Sequence, residues 1–418
     1  MDRQPVVYPP SLLHGLYSTP FYRHFSAAVA TEESRKEFAS NILDAYNRFS
    51  LDGIDIDWEY PGQQGNAGNG VSSSDTANFL LFLQDLRRVL PPPAKITAAT
   101  QTVPFTGSDG RPLQDVSGFS KVLDWVLLMN YDVWGCTVSF LIGSTYLPAY
   151  VCSNPISSAS SNPGPNAPLE DACKNSSIPS ANAHSAVLSW KAAGFASSQI
   201  VLGVPAYAYI SGSTASSLRQ KRNVASPNVR ILNDAGGTDS GQIQFRDLIK
   251  QGALARINRA TQSSSSATDS ESVGNPPDPQ TEIEDDLACP GAEGYEHDEN
   301  QLTLSVSPDG GLMVSPLDVL GPSPGSAPSS SPAPHVFTAA SFTGTGGFAR
   351  HWDVCSSTPF LRSEFSGQII TFDDPQSLGL KAAWAREAGI LGVNIFDVHG
   401  DTDDWDLVDS LRKGLGII

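Results

Sequence analysis

Apolar and polar residues alternate from Gly53 to Glu59, and this period of two predicts a β-strand. Ile54, Ile56 and Trp58 fall on one face, and Asp55, Asp57 and Glu59 on the other. At about 3.3 Å of rise per residue, successive acids on that face stand roughly 7 Å apart. The apolar face implies packing against other elements, helices in the first place. The acids then line an enclosed polar interior, where crowding drives carboxyl pKa values apart and leaves one group protonated. Acid catalysis needs such a group. Two plainer readings compete. A hard-metal site needs further ligands, and no further ligand cluster stands near this stretch. A solvated surface strand mixes Thr and Lys among its acids, which this one does not.

Helical and strand patterns alternate over much of the remaining chain. Thr31 is a good N-cap, followed by Glu32 and Glu33 in the first turn and by Phe38, Ile42, Tyr46 and Phe49 at helical spacing. Upstream, Val6-Val7-Tyr8 or Leu12-Leu13 has room for one short strand. Asp75 is expected to cap a helix carrying Phe79, Leu80, Leu83, Leu86 and Leu90, closed by Pro91-Pro92-Pro93. Further strands are expected at 95–103, 126–132, 199–207 and 390–397. Further helices are expected at 181–193, 375–388 and about 403–415, with Gly194 and Gly389 past two of their ends. Asp403, Asp404 and Asp406 suit the N-terminal dipole of the last helix. The alternation predicts an α/β fold with a parallel sheet. It breaks twice. Cys136 to Asn166 has no usable period and reads as a loop or as translated intron. Residues 210–365 are helical only in part, around Gln242 to Arg259. Within them Ser263 to Pro279 and Gly321 to Pro334 are of low complexity and read as mobile.

Composition narrows the function. The chain has 418 residues, 40% of them hydrophobic, enough for one large domain with an insertion or for two domains. A net charge of −18 with no basic block excludes nucleic acid as a partner. No apolar run reaches membrane-spanning length, so no membrane role is expected. Met1 to Tyr17 has no signal-peptide pattern as written. The five cysteines, Cys136, Cys152, Cys173, Cys289 and Cys355, give neither a framework nor a metal-ligand spacing, and leave room for one or two disulfides. No metal and no cofactor is expected. Asn175-Ser176-Ser177 is a glycosylation sequon, meaningful only in a secreted protein.

At Asp52, Gly53, Asp55, Asp57 and Glu59 the chain resembles the family 18 glycoside hydrolases, the chitinases and related endo-β-N-acetylglucosaminidases. Their signature, Asp-Gly-x-Asp-x-Asp-x-Glu, lies on the fourth strand of a (β/α)8 barrel. Met129, Tyr131 and Asp132 match that family's Met-x-Tyr-Asp, with Trp134 just beyond, and Gly203, Pro205 and Tyr207 match its Gly-x-Pro-x-Tyr. Phe396 stands where the family usually has a Trp that floors the sugar site. The resemblance runs in pieces from about Ser18 to the C-terminus. It implies a TIM-barrel fold with strands four to seven in residues 1–209, an insertion region in 210–365, and the last strand and helix in 366–418. Gly241 to Leu254 and Trp352 to Phe372 resemble parts of a small α+β insertion after the seventh strand, expected here in a degraded or loosely ordered form. Three βα units, on the order of 100 residues, belong before a fourth barrel strand. His14-Gly15-Leu16 stands where the family has Gly-Gly-Trp. The expectation is therefore a barrel incomplete at its N-terminus, as from a truncated gene model.

The resemblance also implies roles. Glu59 protonates the glycosidic oxygen, and the substrate's own acetamido oxygen attacks the anomeric carbon, an exception to the two-carboxylate scheme. Asp57 orients the acetamido group, Asp55 shares a proton with Asp57, and Tyr131 hydrogen-bonds the acetamido carbonyl. Asp52, Tyr60, Met129, Asp132, Trp134, Tyr207 and Phe396 line the substrate cleft. The implied partner is chitin or N-acetylglucosamine oligomers, met as an extracellular monomer. The alternatives are an endo-β-N-acetylglucosaminidase acting on N-glycans, a non-catalytic chitin-binding lectin, and an inactive fragment. Such lectins typically lose the acid that Glu59 supplies.

Overall fold

Trp58 anchors the acidic stretch from behind. Its ring stacks on Phe25 at 5.3 Å and meets Phe79 edge-on at 5.4 Å. Phe38 and Phe82 stack at 4.7 Å alongside. These rings come from the helices Phe25–Val29, Glu32–Phe49 and Asp75–Val89, so the apolar face packs against helices as its pattern requires. The structure, a computed structural model, describes residues 24–65, 70–134, 163–176, 178–212, 240–257, 303–306, 312–315, 335–337 and 340–417. The short strand expected within residues 6–13, most of the stretch from Cys136 to Asn166, and the low-complexity runs 263–279 and 321–334 lie outside these residues.

The strands, in chain order, are β1 (Gly53–Ile56), β2 (Lys95–Thr100), β3 (Trp125–Met129), β4 (Ile200–Pro205), β5 (Tyr207–Gly212), β6 (Ser240–Gln244), β7 (Leu254–Arg256), β8 (Thr303–Val306), β9 (Leu312–Ser315), β10 (His335–Phe337), β11 (Phe342–Gly344), β12 (Ala349–Asp353), β13 (Thr358–Ser363), β14 (Gln368–Thr371) and β15 (Gly392–Phe396). One sheet has the order β1-β2-β3-β4-β15 and every pairing in it is parallel. Helices Asp75–Val89, Ala183–Ala192 and Pro375–Glu387 connect its strands in sequence, the βα repeat expected from the pattern. Thr31 does cap its helix, in a box with Ser34. Ser74, not Asp75, is the N-cap of the next helix. The Asp75 carboxylate instead accepts from the Ser72 N–H at 2.8 Å and from the Ser26 hydroxyl at 2.6 Å, tying the first helix to the third.

Between β4 and β15 a second sheet forms, antiparallel throughout, in the order β12-β13-β14-β5-β6. The sequence reading expected this region to be degraded. Its described part is instead regular. Phe245, Phe342, Leu361, Ile370 and Phe372 are fully buried beside it and belong to one core continuous with that of the parallel sheet, which holds it. It is also tied down at both ends. Cys173 and Cys355 form a disulfide across 182 residues of sequence, joining the segment after β3 to the β12–β13 turn. Arg246 bonds Asp403 at 2.8 Å, and Arg256 bonds Asp404 and Asp406 at 2.6 Å each. These acids, read from sequence as serving the helix dipole, thus also hold the helix Phe245–Lys250 that follows β6, and β7. Asp401 accepts from Leu407 and Val408 N–H and caps the helix Asp406–Leu415.

One expectation is overturned in part. The acids do not line a closed interior. Asp55 and Asp57 are exposed, and on β3 only Val126 and Leu128 are buried while Leu127 and Met129 are partly open. Among the described residues no strand pairs with the outer edge of β1 or β15.

The disulfide closes a very long loop, and loop-closure entropy sets its contribution at about 2–5 kcal/mol. Replacing Cys173 and Cys355 together by Ser should lower the melting temperature by several degrees, and reductant should do the same to the unaltered protein. Equal melting of both forms, with and without reductant, would show that the cysteines are not paired.

Candidate active site

The site lies at the C-terminal ends of the parallel strands. β1 ends at Ile56, but the alternation continues past it. Trp58 is buried while Asp57 is exposed and Glu59 half-buried, so all three acids share one face. Gly53 opens the strand because a Cβ there would stand 2.5 Å from the Lys95 carbonyl of β2. Asp52 sits before β1, exposed, with its carbonyl accepting from the Lys95 N–H at 3.0 Å. It is at the opposite end of the strand from Glu59, and the structure does not bring it to the other site residues.

Asp55, Asp57 and Glu59 converge with Tyr131 and Asp132, which follow β3. Burial first, and then the charges of Asp132, Asp57, Glu59 and Asp55, hold the Tyr131 hydroxyl well above its ordinary pKa. The Asp55 carboxylate accepts from the Thr97 hydroxyl of β2. Asp132 takes a left-handed backbone, φ +58°, with its N–H donating to the Asn166 side chain at 2.8 Å. Its Oδ1 accepts from two phenols of β5, Tyr207 at 2.5 Å and Tyr209 at 2.7 Å. The Gln242 amide of β6 donates to the Tyr209 oxygen at 2.8 Å. The Tyr131 ring stacks on Phe396 at 5.9 Å and meets Tyr207 edge-on at 6.2 Å. Gly203 makes room for that ring, since a Cβ there would stand 2.9 Å from it. Met129 ends β3 beside this cluster, and Trp134 lies half-buried against Gly164. Tyr60 borders a small recess with Gln63, Thr100, Gln101 and Phe105. The Glu59–Tyr60 and Phe396–Asp397 peptide bonds are cis.

Electrostatics separate the acids. Glu59 is raised from 4.5 to about 7, first by burial, then by the Asp57 charge, and more weakly by Asp132, against a hydrogen bond with Tyr60. Burial also raises Asp55 and Asp132, opposed by Thr97 for the first and by Tyr207 and Tyr209 for the second. Asp55 and Asp57 are exposed at their tips, but the atoms packed around Asp55 still favour its neutral form. A carboxyl near 7, flanked by carboxylates and phenols, can deliver a proton at neutral pH and take one back. Among the described residues no group of three His, Cys, Asp or Glu is placed to hold a metal ion.

The sequence model of the glycosyl hydrolases family 18 matches residues 17–401. The chain belongs to this family.

Its likeness within the family is to the glycosidases of the chitinase type. A chitinase-like effector of Moniliophthora roreri is 28% identical over 395 residues, 94% of this chain and 75% of that protein. A chitinase-like effector of Moniliophthora perniciosa is 39% identical over 188 residues, 44% of this chain and 38% of that one. Chitinase A1 of Niallia circulans is 25% identical over 385 residues, 90% of this chain but only 38% of that protein. Among solved structures, a chitinase from Rhizomucor miehei matches with a TM-score of 0.61 at 21% identity, covering 97% of this chain and 87% of that one. A family 18 N-acetylglucosaminidase from Paenibacillus barengoltzii matches at 0.55 and 19%, covering 93% and 78%. These likenesses show the fold, α/β of the TIM-barrel type.

Thr97, Asn166, Tyr209 and Gln242 join the site without any role expected for them from the sequence. Tyr209 had a signal, since it lies two residues from Tyr207 and so on the same face of β5. Gln242 had none, because its place opposite Tyr209 depends on the β5–β6 register.

The pH dependence of stability follows from Glu59. Between about 4.5 and about 7 the folded chain holds a proton that the unfolded chain has released, so this group's contribution to stability falls as pH rises through that window. Glu170, also raised to about 7 by burial, adds the same trend. Glu59→Gln should therefore give a shallower fall of melting temperature with pH and a higher melting temperature than the unaltered chain above the window. Parallel curves would place Glu59 at an ordinary carboxyl pKa.

Proposed function

We propose that the chain hydrolyses β-1,4-linked N-acetylglucosamine polymers, chitin among them, with substrate-assisted retention. The observation that carries this reading is a protonatable Glu59 near 7 beside Asp57 and Asp132, at the mouth end of a parallel strand. Glu59 gives its proton to the glycosidic oxygen. The acetamido oxygen of the sugar closes on the anomeric carbon, and Asp57 orients it and balances the charge of the oxazolinium ion. Asp55, itself held towards its neutral form, shares the proton with Asp57. The high pKa of Tyr131 keeps its hydroxyl a donor to the acetamido carbonyl. Glu59, now a base, activates water on the same face. Tyr60, Met129, Asp132, Trp134, Tyr207 and Phe396 line the cleft in this reading. Asp52 is assigned to holding the start of β1 rather than to substrate.

The five parallel strands are assigned to the fourth through eighth of the barrel, within residues 1–209 and 366–418, with 210–365 as an insertion that walls the cleft. The unpartnered outer edges of β1 and β15 among the described residues support a barrel open on that side. The disulfide supports an oxidising, extracellular setting. A monomer meeting a neutral polymer, with no nucleic acid or membrane partner, agrees with the −18 charge, and no described helix is long and apolar enough to cross a membrane.

Binding without turnover is the second reading. Relatives named chitinase-like effectors favour it, as does the access of water to Asp55 and Asp57. Glu59→Gln separates the two. It keeps shape and removes the transferable proton, so hydrolysis of an N-acetylglucosamine oligomer should fall by at least about 10²–10⁴-fold while binding survives. The same oligomer lacking acetyl groups at the cleavage site should not be cut even by the unaltered chain. Turnover retained in Glu59→Gln, or equal cutting of both substrates, defeats the first reading. Binding with no turnover in the unaltered chain supports the second.

Phe396 offers a flat ring without an N–H, exposed by 39% and stacked on Tyr131. Phe396→Trp should strengthen oligomer binding by up to about 1 kcal/mol. Weaker binding would place Phe396 away from the sugar.

A further inference from the structure

Among the described residues, the charges of Asp57 and Asp132 raise Glu59. Asp57 and Tyr60 lie on its own segment, Asp132 follows β3, and Tyr131 stands between them. Asp132 in turn faces Tyr131 from its own segment, Glu59 from the β1 segment, and Tyr207 and Tyr209 from β5. Burial raises Asp132, and the hydrogen bonds that oppose it come from Tyr207 and Tyr209. Hydrogen-bond donors are then the counterweight that keeps a buried Asp132 charged.

Two of those donors meet at one atom, Asp132 Oδ1. The Tyr209 ring is 4% exposed and its rotation is fixed by the second sheet. Residues 209 and 242 are direct cross-strand partners, and the Gln242 amide donates to the phenol oxygen. That bond occupies the oxygen as an acceptor, so the phenol hydrogen is left to point at Asp132. Donation into the phenol also strengthens its own bond onward.

We propose that Tyr209 and Gln242, both supplied by the antiparallel sheet, are positioning residues that hold Asp132 as a carboxylate beside Glu59, so that this sheet sets the protonation of the acid. The proposal rests on the reading of Glu59 as the proton donor, but its main test does not need turnover. Asp132 with one donor fewer keeps its proton to higher pH. Less negative charge then stands beside Glu59, and Glu59 gives up its proton more readily. Its titration should move down from about 7 towards the ordinary 4.5.

The experiment is carboxyl 13C NMR titration of the full chain, with Glu59→Gln used to assign the Glu59 signal. Tyr209→Phe, which removes one hydroxyl and keeps the ring, should lower the Glu59 inflection by roughly half a unit to one unit. Gln242→Leu, at an exposed position, should lower it by a smaller amount, and should add nothing in a Tyr209→Phe background. With an N-acetylglucosamine oligomer, the alkaline limb of kcat should shift by the same amount and KM should change less than twofold. An unmoved Glu59 inflection in both single variants overturns the proposal. A Gln242→Leu shift that persists in the double variant overturns the relay through Tyr209. Absence of hydrolysis by the unaltered chain would defeat the proposed function alone, because the NMR titration still decides this point. Should Tyr209→Phe fail to fold, Gln242→Leu decides it.

Discussion

Trp58 wedged between Phe25 and Phe79 decides where three carboxyl groups go. With that ring locked on the helix side, strand geometry leaves Asp55, Asp57 and Glu59 no face but the other. A one-residue slip would bury three acids among aromatic rings and expose Ile54, Ile56 and Trp58. Burial of such charges without partners costs far more than the register can lose elsewhere, so the placement is firm. Burial in the recess, with the Asp57 charge beside it, then makes one group, Glu59, keep its proton to about 7. The electrostatics of the site are thus a consequence of packing on the reverse of the same strand.

Much of this was legible in the sequence because it depends on local periods. The alternation at 53–59, the helix capped by Thr31, and the parallel strands all follow from residue spacing, with ends shifted by a few positions. Tyr131, Asp132 and Tyr207 were placed by short motifs at strand ends, and the structure does gather them. Asp52 shares the motif but not the location, since Gly53 and Asp52 serve the close approach to Lys95 instead. Long-range register was not legible. Gln242 reaches Tyr209 only because β6 pairs with β5, and Asn166 reaches the Asp132 N–H only through the chain's return after β3. The regularity of the second sheet was also hidden, because its strands are separated by runs with no period at all.

The second sheet is more than an appendage to the first. It is bound to the βα scaffold by a disulfide, by the Arg246–Asp403 pair on the helix directly after β6, and by the phenols on Asp132. The first two fix its position, and the third reaches into the acid cluster itself. A chain of contacts therefore runs from β6 through Tyr209 and Asp132 to the charge felt by Glu59.

The central claim is hydrolysis in which the acetamido group of the substrate is the nucleophile. Proton NMR of the reducing end released from an N-acetylglucosamine oligomer, recorded before mutarotation, tests it most directly. Attack by the acetamido oxygen followed by water on the opposite side retains configuration, so the β anomer should form first. The α anomer forming first, or an oligomer that binds and is never cut, would contradict the account.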